Sequence, residues 1–511
     1  MSIFTAPPEH LHLSAADTGL LDAVAAGAAR LSPEQGLELL THTPLQTLGR
    51  YADARARALH GDSLRTYVID RNINYTNVCS ARCTFCAFRR DAGDHDSYTL
   101  EPGAIYDKIA ELVAIGGTQI LMQGGMNPAL PLEWYTDLLS GIKQRFPGVH
   151  VHAFSPPEFI EFVNFFDPPG NTLAAKIRWV MVRLRDAGLD SVPGGGGEIF
   201  SHHVRRKIGL GKCDADAWLT TMNVAHSLGM FTSATMMFGH IEGHADRVHH
   251  MWLVRQWQDR ALRMSDVGCW MPDVAKAGGF TPSHSPHPTS RISPGHYKSF
   301  ITWPFQRENT PLGRVPDFGS RAEDFASQGD KGPLGVFPGD ALAVLNGTLA
   351  GDNRLSNEQV HERVPGFGRR VRMSGAVDYL RTQAVSRLFL DNIYSIGASW
   401  VTMGPHVGQV ALAFGANDMG SVMMEENVVS SAGTTYCLDE PVLCRLIRDA
   451  GFTPAQRNNT YDIIRAHGPT PESPDLAVID WSRHRARRMH QEAPPHAREP
   501  KLAALTVGLT R

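Results

Sequence analysis

The stretch Asn74–Arg90 reads NYTNVCSARCTFCAFRR and places three of the chain's seven cysteines within eight positions. The spacing of Cys79, Cys83 and Cys86 is C-x3-C-x2-C, with Phe85 directly before the last cysteine. Thiolates this close in sequence can converge on one metal centre from a single loop. Clustered cysteines in a reducing compartment indicate metal or redox chemistry more often than disulfides. The stretch therefore predicts a metal centre held by three thiolates.

Two kinds of metal centre are compatible with this spacing. A structural zinc site normally has four protein ligands, and the nearest further candidate is His95, nine residues beyond Cys86. A 4Fe–4S cluster held by three thiolates instead keeps one iron open for a small molecule, as a catalytic cluster requires. The spacing favours the cluster, while zinc and accidental clustering stay as alternatives.

Composition narrows the class of protein. Lys and Arg total 49 against 52 Asp and Glu, and a formal net charge of −3 argues against a nucleic-acid partner. The first residues lack the basic and apolar regions of a signal peptide. No uninterrupted apolar stretch approaches the roughly 18 residues of a membrane span. An odd number of cysteines makes a poor disulfide framework. We expect a cytoplasmic protein that binds neither nucleic acid nor membrane.

The cysteine motif together with Phe85 resembles the signature of the radical S-adenosylmethionine enzymes. The resemblance implies a 4Fe–4S cluster on Cys79, Cys83 and Cys86, whose open iron chelates the methionine part of S-adenosylmethionine. It also implies that the backbone carbonyl of Phe85 contacts the adenine. In that family the cosubstrate yields a 5′-deoxyadenosyl radical, while the protein binds, orients and excludes side reactions. An electron donor such as flavodoxin or ferredoxin is an implied partner.

The resemblance further implies a TIM-like (β/α)8 radical S-adenosylmethionine barrel. Independently, alternating strand-like and helix-like runs predict an α/β fold with a parallel sheet. Eight strand-like runs can be counted, the full number for such a barrel. They are Val68–Thr76, Thr118–Gly125, Val149–Glu158, Gly188–Phe200, Met230–His240, Ser299–Gln306, Asn392–Gly404 and Asn417–Met424.

Three regions are expected along the chain: an N-terminal helical segment over residues 1–64, the barrel over 65–440, and a C-terminal helix with a flexible basic tail over 441–511. In the first region, Ser32, Pro33 and Gln35 form a capping-box pattern that predicts the start of a helix. Stretches rich in Gly and Pro near 260–298 and 307–370 interrupt the alternation. We interpret them as inserted excursions.

Residues just beyond strand ends are site candidates, because loops at the carboxyl ends of barrel strands face the pocket. Gln123, Gly124 and Gly125 follow the second strand, where the radical family has a glycine-rich element that binds the methionine end of the cosubstrate. Glycines allow close approach to the backbone, whose N–H groups we expect to be free. A plain turn is the alternative. Four glycines precede Glu198, which could bind ribose hydroxyls of the cosubstrate or of the substrate.

Polar and aromatic residues at other strand ends are candidates for binding the substrate or for proton transfer. His152 lies past the third strand and His240 closes the fifth, although a single histidine such as His240 is often only a hydrogen-bonded polar residue. The candidates for substrate binding are Ser155, Glu158, Trp303 and Asn417. The candidates for a catalytic base are His240, Glu242 and Asp418, among which the sequence does not choose.

The resemblance extends beyond the cysteines, from about residue 65 to residue 461. It is carried by GGTQILMQGGMNP, HAFSPPE, GLDSVPGGGGEI, ATMMFGHIE and WPFQRENTPL. These runs resemble the branch with the futalosine-pathway enzymes of menaquinone biosynthesis and the deazaflavin (FO) synthases, and most of all the dehypoxanthine futalosine cyclases. That implies oxidative ring closure of dehypoxanthine futalosine. A sister activity (aminofutalosine synthase or deazaflavin synthase) and a zinc-stabilised barrel without radical chemistry stay as alternatives.

Overall fold

The computed structural model describes residues 15–61, 63–266, 294–317, 368–434 and 436–471. Most of the two predicted excursions and nearly all of the basic tail lie outside these residues, as does Cys269.

The described helices lie between residues 15 and 449, and most of them alternate with strands. None of these helices is both long and apolar enough to cross a bilayer. They are α1 Ala15–Ala26, α2 Pro33–Thr41, α3 Leu45–His60, α4 Pro102–Ala114, α5 Leu132–Arg145, α6 Pro156–Phe166, α7 Leu173–Ala187, α8 His202–Ile208, α9 Ala215–Ser227, α10 His244–Asp266, α11 Ala376–Phe389, α12 Trp400–Met403, α13 Pro405–Ala411, α14 Val428–Ser431 and α15 Glu440–Asp449.

The described strands form one sheet. They are β1 Leu64–Val68, β2 Asp70–Ile73, β3 Gln119–Met122, β4 His150–Ala153, β5 Ser191–Val192, β6 Phe231–Phe238, β7 Tyr297–Pro304, β8 Ser395–Gly397, β9 Asp418–Ser421, β10 Thr453–Arg457 and β11 Ile463–Ala466. All pairs are parallel except β10 with β11.

The sheet curls because one continuous segment, residues 64–73, pairs with both ends of the run of strands from β3 to β9. β1 pairs with β9, where Val68 lies opposite Ser421, and β2 pairs with β3. From β3 to β9 the strands follow one another in chain order. Counting β1 and β2 as one strand interrupted at Ile69, eight parallel strands surround the core. The predicted α/β barrel architecture is confirmed.

Several predicted strands are shorter in the structure than the runs that indicated them. The run Gly188–Phe200 contributes only the two residues of β5. The reason lies in its glycines, which leave the ladder and pack against the next strand. A Cβ on Gly194 would lie 2.6 Å from the carbonyl oxygen of Ser233, and one on Gly197 would lie 2.5 Å from that of Thr235.

The helix ends follow the local sequence signals. At the start of α2, Oγ of Ser32 accepts a hydrogen bond from the backbone N–H of Gln35, whose side chain accepts one from Ser32 N–H at 2.8 Å. The predicted capping box is confirmed. Helix α15 is followed by Gly451 at φ +86°, a left-handed conformation that glycine adopts without steric cost.

The C-terminal extension closes the end of the barrel at the amino ends of the strands. β10 pairs with β1 on the side away from β9, with Leu64 opposite Thr453. The chain then crosses beneath the barrel. There Arg457 contacts Asp418 of β9, and Asn459 contacts His150 of β4. This segment therefore forms the floor of the barrel interior.

Candidate active site

The three clustered cysteines lie on one loop, residues 77–90, which follows β2 at the carboxyl end of the barrel strands. Backbone hydrogen bonds shape the loop from within. The N–H of Cys79 donates to the carbonyl of Arg90 at 3.1 Å, and the N–H of Cys86 donates to that of Cys83 at 3.2 Å. The loop thus holds its three thiols at one end of the barrel.

The surroundings of the thiols suit a metal cluster. Burial raises the pKa of Cys83 to about 12, Glu198 and the two other thiols add to this effect, and Lys212 opposes it. All three cysteines are free and half-buried. A bound cation inverts this electrostatic penalty, because it stabilises the thiolate. The triplet therefore fits the iron–sulfur cluster that its spacing predicts.

Lys212 joins the cysteine loop to the glycine-rich turn after β5. Its Nζ lies 5.1 Å from the ring centre of Phe85 and donates to Glu198 at 2.8 Å. Glu198 is buried, has φ +36°, and also lies 3.7 Å from Arg205. The structure thus brings Phe85 and Glu198 together. Sequence reasoning missed Lys212, because it lies 14 positions from Glu198 with no motif around it.

The predicted glycine pair after β3 packs directly against its neighbours. A Cβ on Gly124 would lie 2.6 Å from the ring of Tyr75, and one on Gly125 would lie 2.1 Å from the carbonyl oxygen of Val78. The N–H of Gly125 already donates to Thr76 at 2.8 Å. Glycine is required here because the turn supports the cysteine loop.

Glu158 occupies the other N–H of this turn. It accepts hydrogen bonds from Gly124 N–H at 3.2 Å, Tyr75 Oη at 2.7 Å, and both the N–H and the hydroxyl of Ser155 at 2.7 Å. The expectation of free N–H groups at the glycine pair is therefore wrong. Contact of Gly124 and Gly125 with the cosubstrate stays a prediction and would have to use their carbonyl oxygens. Ser155 and Glu158 form a capping box at the start of α6.

The barrel interior contains a cavity of about 370 Å³. It reaches from Gln123 and the glycine-rich turn at the upper end to Asp418 and Arg457 on the floor. Trp303 lies in its wall at the end of β7. The cavity therefore combines an aromatic surface with polar groups inside one enclosure.

Two amide oxygens in the cavity wall have no hydrogen-bond partner among the described residues. They are Oδ1 of Asn72 on β2 and Oε1 of Gln119 on β3. Buried polar atoms without partners are uncommon in folded proteins and point to a missing ligand or water. Both oxygens can only accept, and both are buried beneath the cavity surface, so contact with a bound molecule requires their side chains to turn.

Asp418 and Asn417 are adjacent in sequence, but only Asp418 lines the cavity. Asp418 lines the cavity, where Arg457 and the hydroxyl of Thr66 hold its carboxylate. Asn417 does not line the cavity. Its Oδ1 accepts from Arg387 at 2.6 Å, so it stabilises the packing between α11 and β9.

His240 and Glu242 lie in a fully buried loop after β6 and do not line the cavity. The carboxylate of Glu242 accepts from the N–H groups of Gly239 at 2.7 Å and of His240 at 2.9 Å, and it pairs with Arg247. Burial alone would raise the pKa of Glu242, but His240 and Arg247 hold it well below its usual range. These contacts organise the loop, and a catalytic role for the pair stays a prediction.

Comparison with known proteins agrees with the site. Residues 73–253 match the family described as the radical SAM superfamily, and residues 356–469 match the CofH/MqnC C-terminal region. Cyclic dehypoxanthine futalosine synthase of Halalkalibacterium halodurans is 34% identical over 88% of this chain and 95% of its own length. The 5-amino-6-(D-ribitylamino)uracil–L-tyrosine 4-hydroxyphenyl transferase of Methanopyrus kandleri is 33% identical over 79% and 85%.

Among solved structures, that of methylornithine synthase superposes with a TM-score of 0.52 at 15% identity, covering 85% of this chain and 97% of that one. This likeness concerns the fold alone. The relatives and the cysteine loop indicate the chemistry. Members of this superfamily use a 4Fe–4S cluster and S-adenosylmethionine. The chain is thus an enzyme of the radical S-adenosylmethionine superfamily and belongs to its CofH/MqnC family.

Proposed function

We propose that the protein converts dehypoxanthine futalosine to its cyclic form, an oxidative ring closure in menaquinone biosynthesis. The observation that carries the proposal is the relative of that activity, 34% identical over nearly its full length. The runs WPFQRENTPL and ATMMFGHIE, which resemble the cyclases, form the ends of β7 and β6 beside the cavity.

The reaction needs one hydrogen atom removed and one carbon–carbon bond formed. Cys79, Cys83 and Cys86 would hold the cluster. Together with S-adenosylmethionine, the cluster would supply the radical that takes hydrogen from ribose C4′. The sugar radical then adds to the aromatic ring of the same molecule. Loss of one electron and one proton completes the product. A flavodoxin or ferredoxin would serve as the electron donor.

The protein's part is to hold a single substrate and to exclude other hydrogen donors. Trp303 offers a face for the benzoate ring, while the polar side chains of Asn72 and Gln119 line the same cavity and are candidates for contact with the sugar. The cavity of about 370 Å³ is near the lower end of the range for ligand sites.

A sister reaction is the second candidate, because a 4-hydroxyphenyl transferase is 33% identical to this chain. Anaerobic reconstitution followed by product analysis separates the candidates. The protein is incubated separately with dehypoxanthine futalosine, with tyrosine plus the ribitylaminouracil, and with an enolpyruvyl benzoate. We expect turnover of the first substrate alone. Turnover of either other set would replace the cyclase proposal.

A further inference from the structure

The lower part of the barrel holds three hydrogen-bonded side chains that the ring closure described above does not use: His152, Ser191 and His150. Nδ1 of His152 lies 2.6 Å from Oγ of Ser191, and Nε2 of His150 lies 2.7 Å from the same oxygen. His152 and Ser191 line the cavity, whereas His150 does not line it and is partly exposed. The three groups therefore lead from the cavity to an imidazole at the floor.

The side chain of Asn459 restricts the direction of these hydrogen bonds. Its amide nitrogen lies 2.7 Å from Nε2 of His150 and 2.9 Å from Oγ of Ser191. An amide N–H group can only donate, so Nε2 of His150 is an acceptor. This Nε2 has a single lone pair, which the Asn459 amide and the Ser191 hydroxyl share as a three-centre hydrogen bond, and in the tautomer where Ser191 donates to His150 its oxygen accepts from Nδ1–H of His152. In this arrangement Nε2 of His152 carries the lone pair.

The ring of His152 is therefore able to accept a proton from the cavity. Among the described residues, its Nε2 has no hydrogen-bond partner. Burial, together with smaller effects of His150 and Arg457, lowers the pKa of His152 to about 3, so the ring is neutral. Burial lowers the pKa of His150 to about 4. Of the charged groups that face it, Asp190 raises this pKa and Lys143 lowers it.

We infer that Nε2 of His152 takes the proton released in ring closure and that Ser191 passes it to His150. This inference rests on the proposed function. The ring carbon loses one proton, and Nε2 gains it. Nδ1–H gives its proton to the Ser191 oxygen, whose own proton moves to Nε2 of His150. The electron goes to a one-electron acceptor of the oxidised iron–sulfur class. Loss of the proton restores aromaticity, so a neutral imidazole suffices as the base.

Loss of the relay should uncouple hydrogen removal from product formation. The experiment uses the reconstituted enzyme with dehypoxanthine futalosine deuterated at C4′ and compares wild type with His152→Gln and Ser191→Ala. Both 5′-deoxyadenosine and cyclic product are measured. We expect deuterium to reach 5′-deoxyadenosine in both variants. Product per 5′-deoxyadenosine should fall by about 100-fold in His152→Gln, the usual scale of a lost general base, and less in Ser191→Ala.

His226→Gln is the matched control, because His226 is a buried imidazole paired with a hydroxyl, Thr232 Oγ1, at 2.8 Å, but does not line the cavity. It should keep the wild-type product ratio, and Ser191→Thr, which retains a hydroxyl, should recover it. Ser191→Ala removes one oxygen only, which keeps the test open should His152→Gln fold poorly.

Two results would overturn the relay while wild type still makes cyclic product. One is an unchanged product ratio in His152→Gln and Ser191→Ala. The other is an equal loss of deuterium transfer and product, which would give these residues a substrate-binding role. Absence of cyclic product from wild type would instead overturn the proposed function, and the relay with it.

Discussion

The guanidinium of Arg457 donates two hydrogen bonds to the carboxylate of Asp418, at 2.5 and 2.9 Å, and fixes the C-terminal extension to the barrel floor. Both side chains are almost fully buried. Breaking a buried pair on one side leaves an uncompensated charge, which costs about 3–5 kcal/mol. We expect Asp418→Asn to lower the free energy of unfolding by about that amount, measured by chemical denaturation.

The exposed pair Arg445–Asp449, on one face of α15 at 3.3 Å, is the control for this prediction. Arg445→Gln should cost no more than about 1 kcal/mol, because exposed ion pairs contribute little. An equal cost for Asp418→Asn and Arg445→Gln would show that the floor contact does not stabilise the fold.

The cysteine triplet should be required for the cluster. Alanine at Cys79, Cys83 or Cys86 removes one of three thiolates that share a single loop, so iron and sulfide content should fall to near background. Cys437→Ala serves as the control and should retain both. Iron and inorganic sulfide are assayed after anaerobic reconstitution. Full cluster content in Cys83→Ala, or zinc in place of iron in the wild type, would contradict the assignment.

Gly125→Ala should disturb the cluster through packing. Its Cβ would lie 2.1 Å from the Val78 carbonyl and 3.0 Å from Cβ of Cys79, so the cysteine loop must shift. We expect lower iron content and an altered visible spectrum. In the control Gly103→Ala, the new Cβ has nothing within 4 Å, and the protein should keep its cluster. An intact cluster in Gly125→Ala, together with weaker cosubstrate binding, would favour direct contact with the ligand instead.

The contribution of His226 to stability should fall as the pH drops below 6.5, because burial keeps this imidazole neutral in the folded protein. Burial lowers the pKa of His226 from 6.5 to about 3. Below pH 6.5 the unfolded chain binds a proton that the folded chain does not, so this residue's contribution is present above that pH and lost below it. The loss approaches about 1.4 kcal/mol per pH unit.

His226→Gln should therefore flatten the dependence of unfolding free energy on pH by that slope. The comparison is made in a background where Cys79, Cys83 and Cys86 are all alanine, so that acid loss of the cluster does not contribute. Parallel pH profiles for the two proteins would mean that His226 has an ordinary pKa in the folded state.

Local signals in the sequence predicted much of the fold and of the metal site. The spacing of the cysteines and the capping pattern at Ser32 depend on neighbours within a few positions, which are visible in the sequence. Lys212 and the floor contact between Arg457 and Asp418 depend on residues far apart in the chain. The setting of Glu242 is of the same kind, because its partner Arg247 on α10 also pairs with Asp378 on α11. Such contacts have no local pattern.

The sequence also did not reveal the hydrogen-bond partners of the backbone N–H groups at the glycine pair. The glycines at 124 and 125 indicated close backbone approach, and the structure shows such approach to Tyr75 and Val78. The N–H of Gly124 donates to Glu158 and that of Gly125 donates to the carbonyl of Thr76. Both partners belong to other elements of the barrel.

We propose that the enzyme removes hydrogen from ribose C4′ of dehypoxanthine futalosine and closes the ring. Substrate carrying deuterium at C4′ tests it most directly, with mass analysis of 5′-deoxyadenosine and of the product. We expect deuterium in 5′-deoxyadenosine, one equivalent per cyclic product, and none at that carbon in the product. Cyclic product that retains the label, or 5′-deoxyadenosine without deuterium, would contradict it.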